Sequence, residues 1–483
     1  MTFQFQSAAE MVRLVCAREI SPVELVRAHF DRIDELNPAL NAFVHLRRDE
    51  AFHEARAAEA ATLRGEEKPL LGVPVSIKSC IDLAGTPCAA GCRVRSSYIA
   101  PEDATLVKRL KNSGAIILGN TNTAEMLMAY DTDNVLHGRT SNPWNLERTA
   151  GGSSGGEAAA IASGMSAAGI GSDGGGSIRV PAHFTGICGL KPTPGRIPAT
   201  GHFPAGVGPF AWMGVVGPMA RTIGDLRLML RAMVGADSAD PMAADFPLNE
   251  IGEDELKGTR VGILPPDPTC VPTNETLAAI DAAANALRDA GMEAEPIEIA
   301  ELEQARELWE TLFVRIAGGM LVAEVVKGRE SELSPALQKF LRVAQGYPPL
   351  TAAEVLQVQF ARDDLRARVL RRMETFPVLL APVCSSPAFR HGDGGWDDSF
   401  GTNYLREMRY SQWFNLLGNP AAVVPVARSA EGLPIGVQVI GRPYEEMRVL
   451  KMAEIIEARY GWREPPMEWR AARALSAVAN SAD

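Results

Sequence analysis

With 46% hydrophobic side chains over 483 residues the chain can bury a large core, and 48 Lys and Arg against 59 Asp and Glu leave a net charge of −11. That balance disfavours a nucleic-acid partner, whose phosphates need a basic face. The seven cysteines form no C-x-x-C, and no second pair completes a zinc site around Cys88 and Cys92, so no metal and free thiols in a reducing cytoplasm are expected. The opening MTFQFQSAAEMVRLV lacks a basic stretch followed by an apolar core, and no apolar run approaches about 18 residues, so neither a secretion signal nor a membrane span is expected.

Without a linker, charge run or fixed-period repeat, the chain reads as a single unit over 1–483. Ser7-Ala8-Ala9-Glu10 and Ser21-Pro22-Val23-Glu24 read as capping boxes, so two helices open it, and an alanine-rich helix over 55–64 follows. The apolar, β-branched run 70–78, bounded by glycine and proline, predicts a buried strand with Lys78 at its end. A lysine there is ordinarily a solvated terminus, unless a nucleophile needs it. A helix over 103–113, a strand over 115–119, a methionine-rich helix over 123–130 and a polar loop over 131–148 come next. Beyond Asp225, helical patterns at 226–234, 274–290, 301–326 and 352–373 surround a strand at 260–264, and strands at 378–381, 422–425 and 435–440 complete the sheet. Alternating strands and helices predict an α/β class, with a central mixed, twisted sheet covered by helices on both faces.

Four serines that could react, Ser153, Ser154, Ser172 and Ser177, lie among the glycines of 151–156 and 174–177. Gly169-Ile170-Gly171-Ser172-Asp173-Gly174 matches the dinucleotide fingerprint G-x-G-x-x-G, but Pro181 interrupts the segment behind it and no Asp or Glu occurs from Gly174 to Gly224. The fingerprint needs a following helix and an acid about 20 residues on, so no cofactor is expected. Gly152-Ser153-Ser154-Gly155-Gly156 also matches the G-x-S-x-G nucleophile elbow, which would make Ser154 the nucleophile with His391 as its late histidine. In the acid-free span, successive amides of Gly174, Gly175, Gly176 and Ser177 could form a nest for an oxyanion.

The runs GVPVSIK at 72–78, GGSSGGEAAAIASG at 151–164, SDGGGSIRVPA at 172–182 and GICGLKPTPGRIP at 186–198 resemble the amidase signature family, the Ser-cisSer-Lys amide hydrolases. NTNTAEM at 120–126, SNPWN at 141–145, GPMARTIGD at 217–225, NLLGNPAAVVPV at 415–426 and GLPIGVQVIGRP at 432–443 extend the resemblance over nearly the whole chain. It implies the amidase signature fold, with N-terminal helices over 1–70, a signature core over 71–225, a variable substrate-side helical region over 226–375 and C-terminal strands and helices over 376–483. It implies Ser177 as nucleophile, Ser153 as a bridging serine in a cis peptide and Lys78 as base, with Ser154, Asp173 and Arg179 in support. Such a lysine must be neutral, and burial at an apolar strand end favours that form. Two residues depart from the family pattern: Ser79 follows Lys78 where aspartate is frequent, and Gly174 replaces threonine or isoleucine, removing a side chain beside the oxyanion loop.

The expected activity is hydrolysis of small amides, with carbamates and esters as further substrates of the same triad. An amidotransferase A-type subunit of a tRNA-dependent complex is the alternative, and a homodimer is compatible with either. Met126, Met128 and Tyr130, the loop from His202 to Trp212, the helix around Trp309 and the loop 385–400 are candidates for the pocket wall, whereas His183 reads as packing.

Overall fold

A computed structural model describes residues 3–467 and 469–470; residues 471–483, the end of the segment predicted to complete the sheet, lie outside them. The opening helices start where the sequence caps them. Ser7 Oγ accepts from the Glu10 amide at 3.1 Å to cap Ala8–Cys16, and Ser21 and Glu24 close a reciprocal box on Pro22–Leu40. The first is a cap without a box, because the Glu10 carboxylate pairs with Arg13 at 2.8 Å. The next helix begins earlier than the alanine run suggested, at Arg48–Leu63.

Eleven strands form one mixed sheet: β1 (Phe43–Leu46), β2 (Pro74–Lys78), β3 (Ile116–Thr121), β4 (Ala168–Asp173), β5 (Cys188–Lys191), β6 (Val215–Ala220), β7 (Arg260–Ile263), β8 (Glu293–Pro296), β9 (Val378–Pro382), β10 (Ala421–Arg428) and β11 (Pro434–Gly441). Their spatial order is β1-β3-β2-β4-β6-β5-β10-β11-β9-β7-β8. β2 runs parallel to both β3 and β4, and all five of its residues are buried, so a near-continuous apolar run is what this position demands. Alternate residues of the C-terminal strands enter different apolar cores: Val378 and Leu380 join the one that holds Ala283 and Leu287 of the helix Asn274–Asp289, Leu379 and Ala381 the one around Trp309. Helices therefore cover both faces.

Two predicted elements differ. In place of a helix over 123–130 there is one 3-10 turn, Glu125–Leu127. The amides of Ala124 and Met126 donate instead to the carbonyls of Ser153 and Ala90, which leaves no helical ladder to propagate. Conversely, a helix does follow the glycine-rich turn, Arg179–Thr185, with Pro181 in its first turn, where amides lack intrahelical partners. The dinucleotide reading thus fails on the missing acid alone. The predicted helix over 301–326 forms, with a π-helical middle at Glu310–Gly318 between Leu302–Trp309 and Gly319–Val326.

Candidate active site

Because β2 and β4 are parallel neighbours, Lys78 at the end of one and Ser172-Asp173 at the end of the other reach the same sheet edge. Ser153 and Ser154 arrive there on the turn that starts the helix Gly155–Ala162. The Gly152–Ser153 peptide is cis, and the Ser153 carbonyl accepts from Thr123 Oγ1 at 2.8 Å. Close packing explains the glycines: a β-carbon on Gly152 would stand 2.6 Å from the Ala129 carbonyl oxygen.

Lys78 is fully buried, and its Nζ lies 2.7 Å from Ser153 Oγ, 2.9 Å from Ser154 Oγ and 3.1 Å from Ser172 Oγ. Burial pulls its pKa down to about 8, against the opposing charges of Cys80, Asp173 and Glu157. Beneath it, Glu157 accepts from Thr121 Oγ1 at 2.6 Å and from Ser76 Oγ, and burial pushes this carboxyl up to about 8.

Asp173 organises the turn that carries Ser177. Its carboxylate accepts from the amides of Gly176 at 2.7 Å and Ile178 at 3.0 Å, and pairs with the buried Arg179 guanidinium at 3.1 Å. Burial alone would raise its pKa, but the Arg179 charge and hydrogen bonds hold it well below the usual carboxylate range. Arg179 continues to Gln438 Oε1 at 2.9 Å and to Asn415, tying the turn to β11 and the helix Arg409–Leu416. One part of the predicted nest changes. The Gly176 amide is engaged by Asp173, so the amides left without a partner among the described residues are those of Gly174, Gly175 and Ser177.

Ser153 and Ser177 line a cleft of about 510 Å³ walled by Leu127, Met128, Phe210, Val215 and Phe313, with His202 at one side. Of the predicted pocket residues, Met128 lines it and two do not. Tyr130 is buried behind the glycine turn, its hydroxyl donating to the Gly175 carbonyl at 2.7 Å. Trp212 faces elsewhere, 5.7 Å from the Arg362 guanidinium. Met126 is buried outside the cleft, and in the loop 385–400 Trp396 Nε1 supports the wall indirectly by donating to the Met128 carbonyl at 3.0 Å. The elbow reading loses its histidine: His391 Nε2 lies 3.1 Å from the Leu146 carbonyl, and Ser154 Oγ belongs to the ring around Lys78. His183 accepts the Gly436 amide at 2.7 Å, a buried packing contact against β11.

Sequence reasoning marked the loop from His202 to Trp212 and the helix around Trp309 as candidate walls without singling out Phe210 or Phe313, which line the cleft. A faint signal existed, because Trp309 and Phe313 are four apart on a helical pattern and so share a face. They stack with ring centroids 4.7 Å apart. The structure also explains Gly174, since a β-carbon there would stand 2.7 Å from the Phe313 ring.

The family model for Amidase matches residues 24–450. The indoleacetamide hydrolase of Bradyrhizobium diazoefficiens (strain USDA 110) is 36% identical over 94% of this chain and 86% of its own length. The A-type subunit of glutamyl-tRNA(Gln) amidotransferase from Roseiflexus castenholzii is 34% identical over 96% of this chain and 97% of its own. Among solved structures, 6-aminohexanoate cyclic dimer hydrolase complexed with substrate superposes with a TM-score of 0.85 at 26% identity, covering 96% of this chain and 99% of that one. The chain belongs to the amidase signature family, whose members hydrolyse carbon–nitrogen bonds of amides.

Proposed function

We propose that the chain hydrolyses small, neutral amides through an acyl-enzyme on Ser177, with Lys78 as general base and Ser153 carrying the proton between them. The observation behind this reading is a fully buried lysine ringed by serine oxygens at the floor of a cleft into which Ser177 opens. Ser177 is 9% exposed against 0% for Ser153 and Ser154, as a nucleophile that must meet substrate requires.

Neutral Lys78 has two N–H groups and one lone pair. Ser154 Oγ is oriented to donate to the Ser172 carbonyl at 3.3 Å, so it accepts from Nζ. With Ser172 Oγ accepting the second N–H, the lone pair faces Ser153 Oγ. As Ser177 Oγ attacks the amide carbon, its proton passes to Ser153 Oγ while the Ser153 proton passes to Lys78 Nζ. The carbonyl oxygen takes the negative charge, met by unpartnered amides of the Gly174-to-Ser177 turn. The C–N bond breaks as the proton returns through Ser153 to the departing amine nitrogen. Water then attacks the ester on Ser177 by the same relay, releasing the carboxylic acid and restoring the serine.

Inside the cleft the walls are apolar, and the Asp173 carboxylate is committed to Arg179 and backbone amides. That favours an uncharged substrate with an aryl or alkyl group, and Phe210 and Phe313, T-shaped with centroids 5.8 Å apart, suit an aromatic ring. Carbamates and esters with the same acyl group are expected as secondary substrates. In this reading residues 71–225 supply the chemistry and most of the cleft wall, and the substrate-side region 226–375 adds Phe313 to that wall. Seven free cysteines suit a reducing cytoplasm. Exposed Leu356 and Phe360, one turn apart on the helix Ala352–Thr375, are compatible with a homodimer.

A second reading, an ammonia-releasing component of a tRNA-dependent complex, rests on the likeness to A-type amidotransferase subunits. Turnover of a panel of amides, anilides and carbamates by the isolated chain, without ATP or partner subunits, separates the two. Strict dependence on a partner would overturn the hydrolase reading.

A further inference from the structure

We propose that Trp309 is a positioning residue for the oxyanion-binding turn, fixing the Gly175 amide through the carbonyl on the other side of the same peptide. This rests on Ser177 being the nucleophile. Trp309 is fully buried, and its Nε1–H donates to the Gly174 carbonyl at 2.9 Å. In a trans peptide the carbonyl and the next amide point in opposite directions, so this contact turns the Gly175 N–H away from the indole. That amide is one of those without a partner among the described residues.

The next peptide is held at both ends. Its carbonyl, on Gly175, accepts from Tyr130 Oη at 2.7 Å, and its amide, on Gly176, donates to Asp173 Oδ1 at 2.7 Å. Consecutive peptide planes are therefore clamped by an indole and a phenol from separate elements, and the free donor lies between the two clamps. A hydrogen bond on a carbonyl also polarises its peptide and strengthens the opposite N–H as a donor. Space around the turn is consistent with this purpose: a β-carbon on Gly175 would stand 2.5 Å from the Trp309 ring and 2.6 Å from Tyr130 Oη. Trp309 stacks on Phe313, which lines the cleft, so the same short helical stretch supplies the pocket wall and the clamp.

Trp309→Phe removes the N–H and keeps a ring for the stack. For the amide turned over fastest in the panel, kcat is expected to fall about tenfold with KM within about twofold, less than direct loss of an oxyanion donor would cause. The inhibition constant of phenylboronic acid, which forms an anionic tetrahedral adduct with a reactive serine, is expected to rise about tenfold. Tyr130→Phe is expected to lower kcat less, about threefold, because Asp173 still holds its peptide from the other end. A passive structural role would not divide kcat from KM or the anionic inhibitor from substrate. Unchanged kcat and boronate affinity in Trp309→Phe, or a rise confined to KM, would overturn the proposal. If Trp309→Phe does not fold, as judged by its melting transition, unchanged kcat and boronate affinity in Tyr130→Phe would overturn it instead. A wild-type enzyme that turns over amides but is not inhibited competitively by phenylboronic acid would refute the Ser177 reading itself, before any variant is considered.

Discussion

Around Lys78 and Asp173 the molecule is polar, buried and densely hydrogen-bonded, whereas around Phe210 and Phe313 it is apolar and partly open. The first region hangs on the ends of β2 and β4, where sheet pairing and the Asp173–Arg179 pair fix each atom. The second hangs on a short helix and on a helical stretch with a π-helical middle, where apolar packing sets position with few hydrogen bonds, such as that of Trp309 to the Gly174 carbonyl. A buried polar network fails when one member is removed, because its partners are left unsatisfied, while an apolar wall tolerates reshaping at the cost of fit. Changes in the first region should therefore abolish turnover, and changes in the second should redirect it.

The largest effect is expected from Ser177→Ala, with kcat lower by at least about a thousandfold and the fold intact, as initial rates and thermal melts would check. Lys78→Ala should come close to it. Its pH dependence sharpens the assignment: the base must be neutral, so kcat/KM should rise with pH and level off above about 8. Stability carries the same signature. The folded pKa, about 8, lies below the ordinary 10.5, so between those values the unfolded chain binds more protons and stability rises with pH. Lys78→Met should make that rise shallower in chemical denaturation, leaving the part contributed by buried Lys191, whose pKa burial pulls down to about 7.

In the wall, Gly174→Thr should lower kcat/KM by about tenfold through a clash with the Phe313 ring, consistent with the usual cost of overpacking. Combining it with Phe313→Ala should recover part of the loss and shift preference toward bulkier acyl groups, so losses that simply add would contradict the contact. The smallest effect is expected from His391→Ala, within about twofold in kcat/KM, because the ring meets the Leu146 carbonyl and not the cleft. A loss as large as that of Lys78→Ala would revive the elbow arrangement.

Legibility in the sequence divides along the same line. The run at 70–78 announces β2 because a strand buried on both faces must be apolar, and the caps at Ser7 and Ser21 mark helices through local chemistry. β4, with the sequence AGIGSD, carries neither period nor bulk, and its place comes from pairing with β2 and β6. The seeming helix at 123–130 is lost to tertiary hydrogen bonds that no local pattern encodes. Lys78, Ser153 and Ser177 were singled out through the resemblance carried by GVPVSIK, GGSSGGEAAAIASG and SDGGGSIRVPA, and the fold brings Lys78 and Ser153 within 2.7 Å of each other. The wall was legible only as stretches, the loop from His202 to Trp212 and the helix around Trp309, since an aromatic at position 313 reads as core packing until the fold brings it to Gly174.

The reacting serine can be identified directly by treating the intact chain with a fluorophosphonate and locating the adduct by peptide mass mapping. The account predicts one adduct, on Ser177, absent in Ser177→Ala and formed much more slowly in Lys78→Ala. An adduct on Ser154, or undiminished labelling of Ser177→Ala, would contradict it.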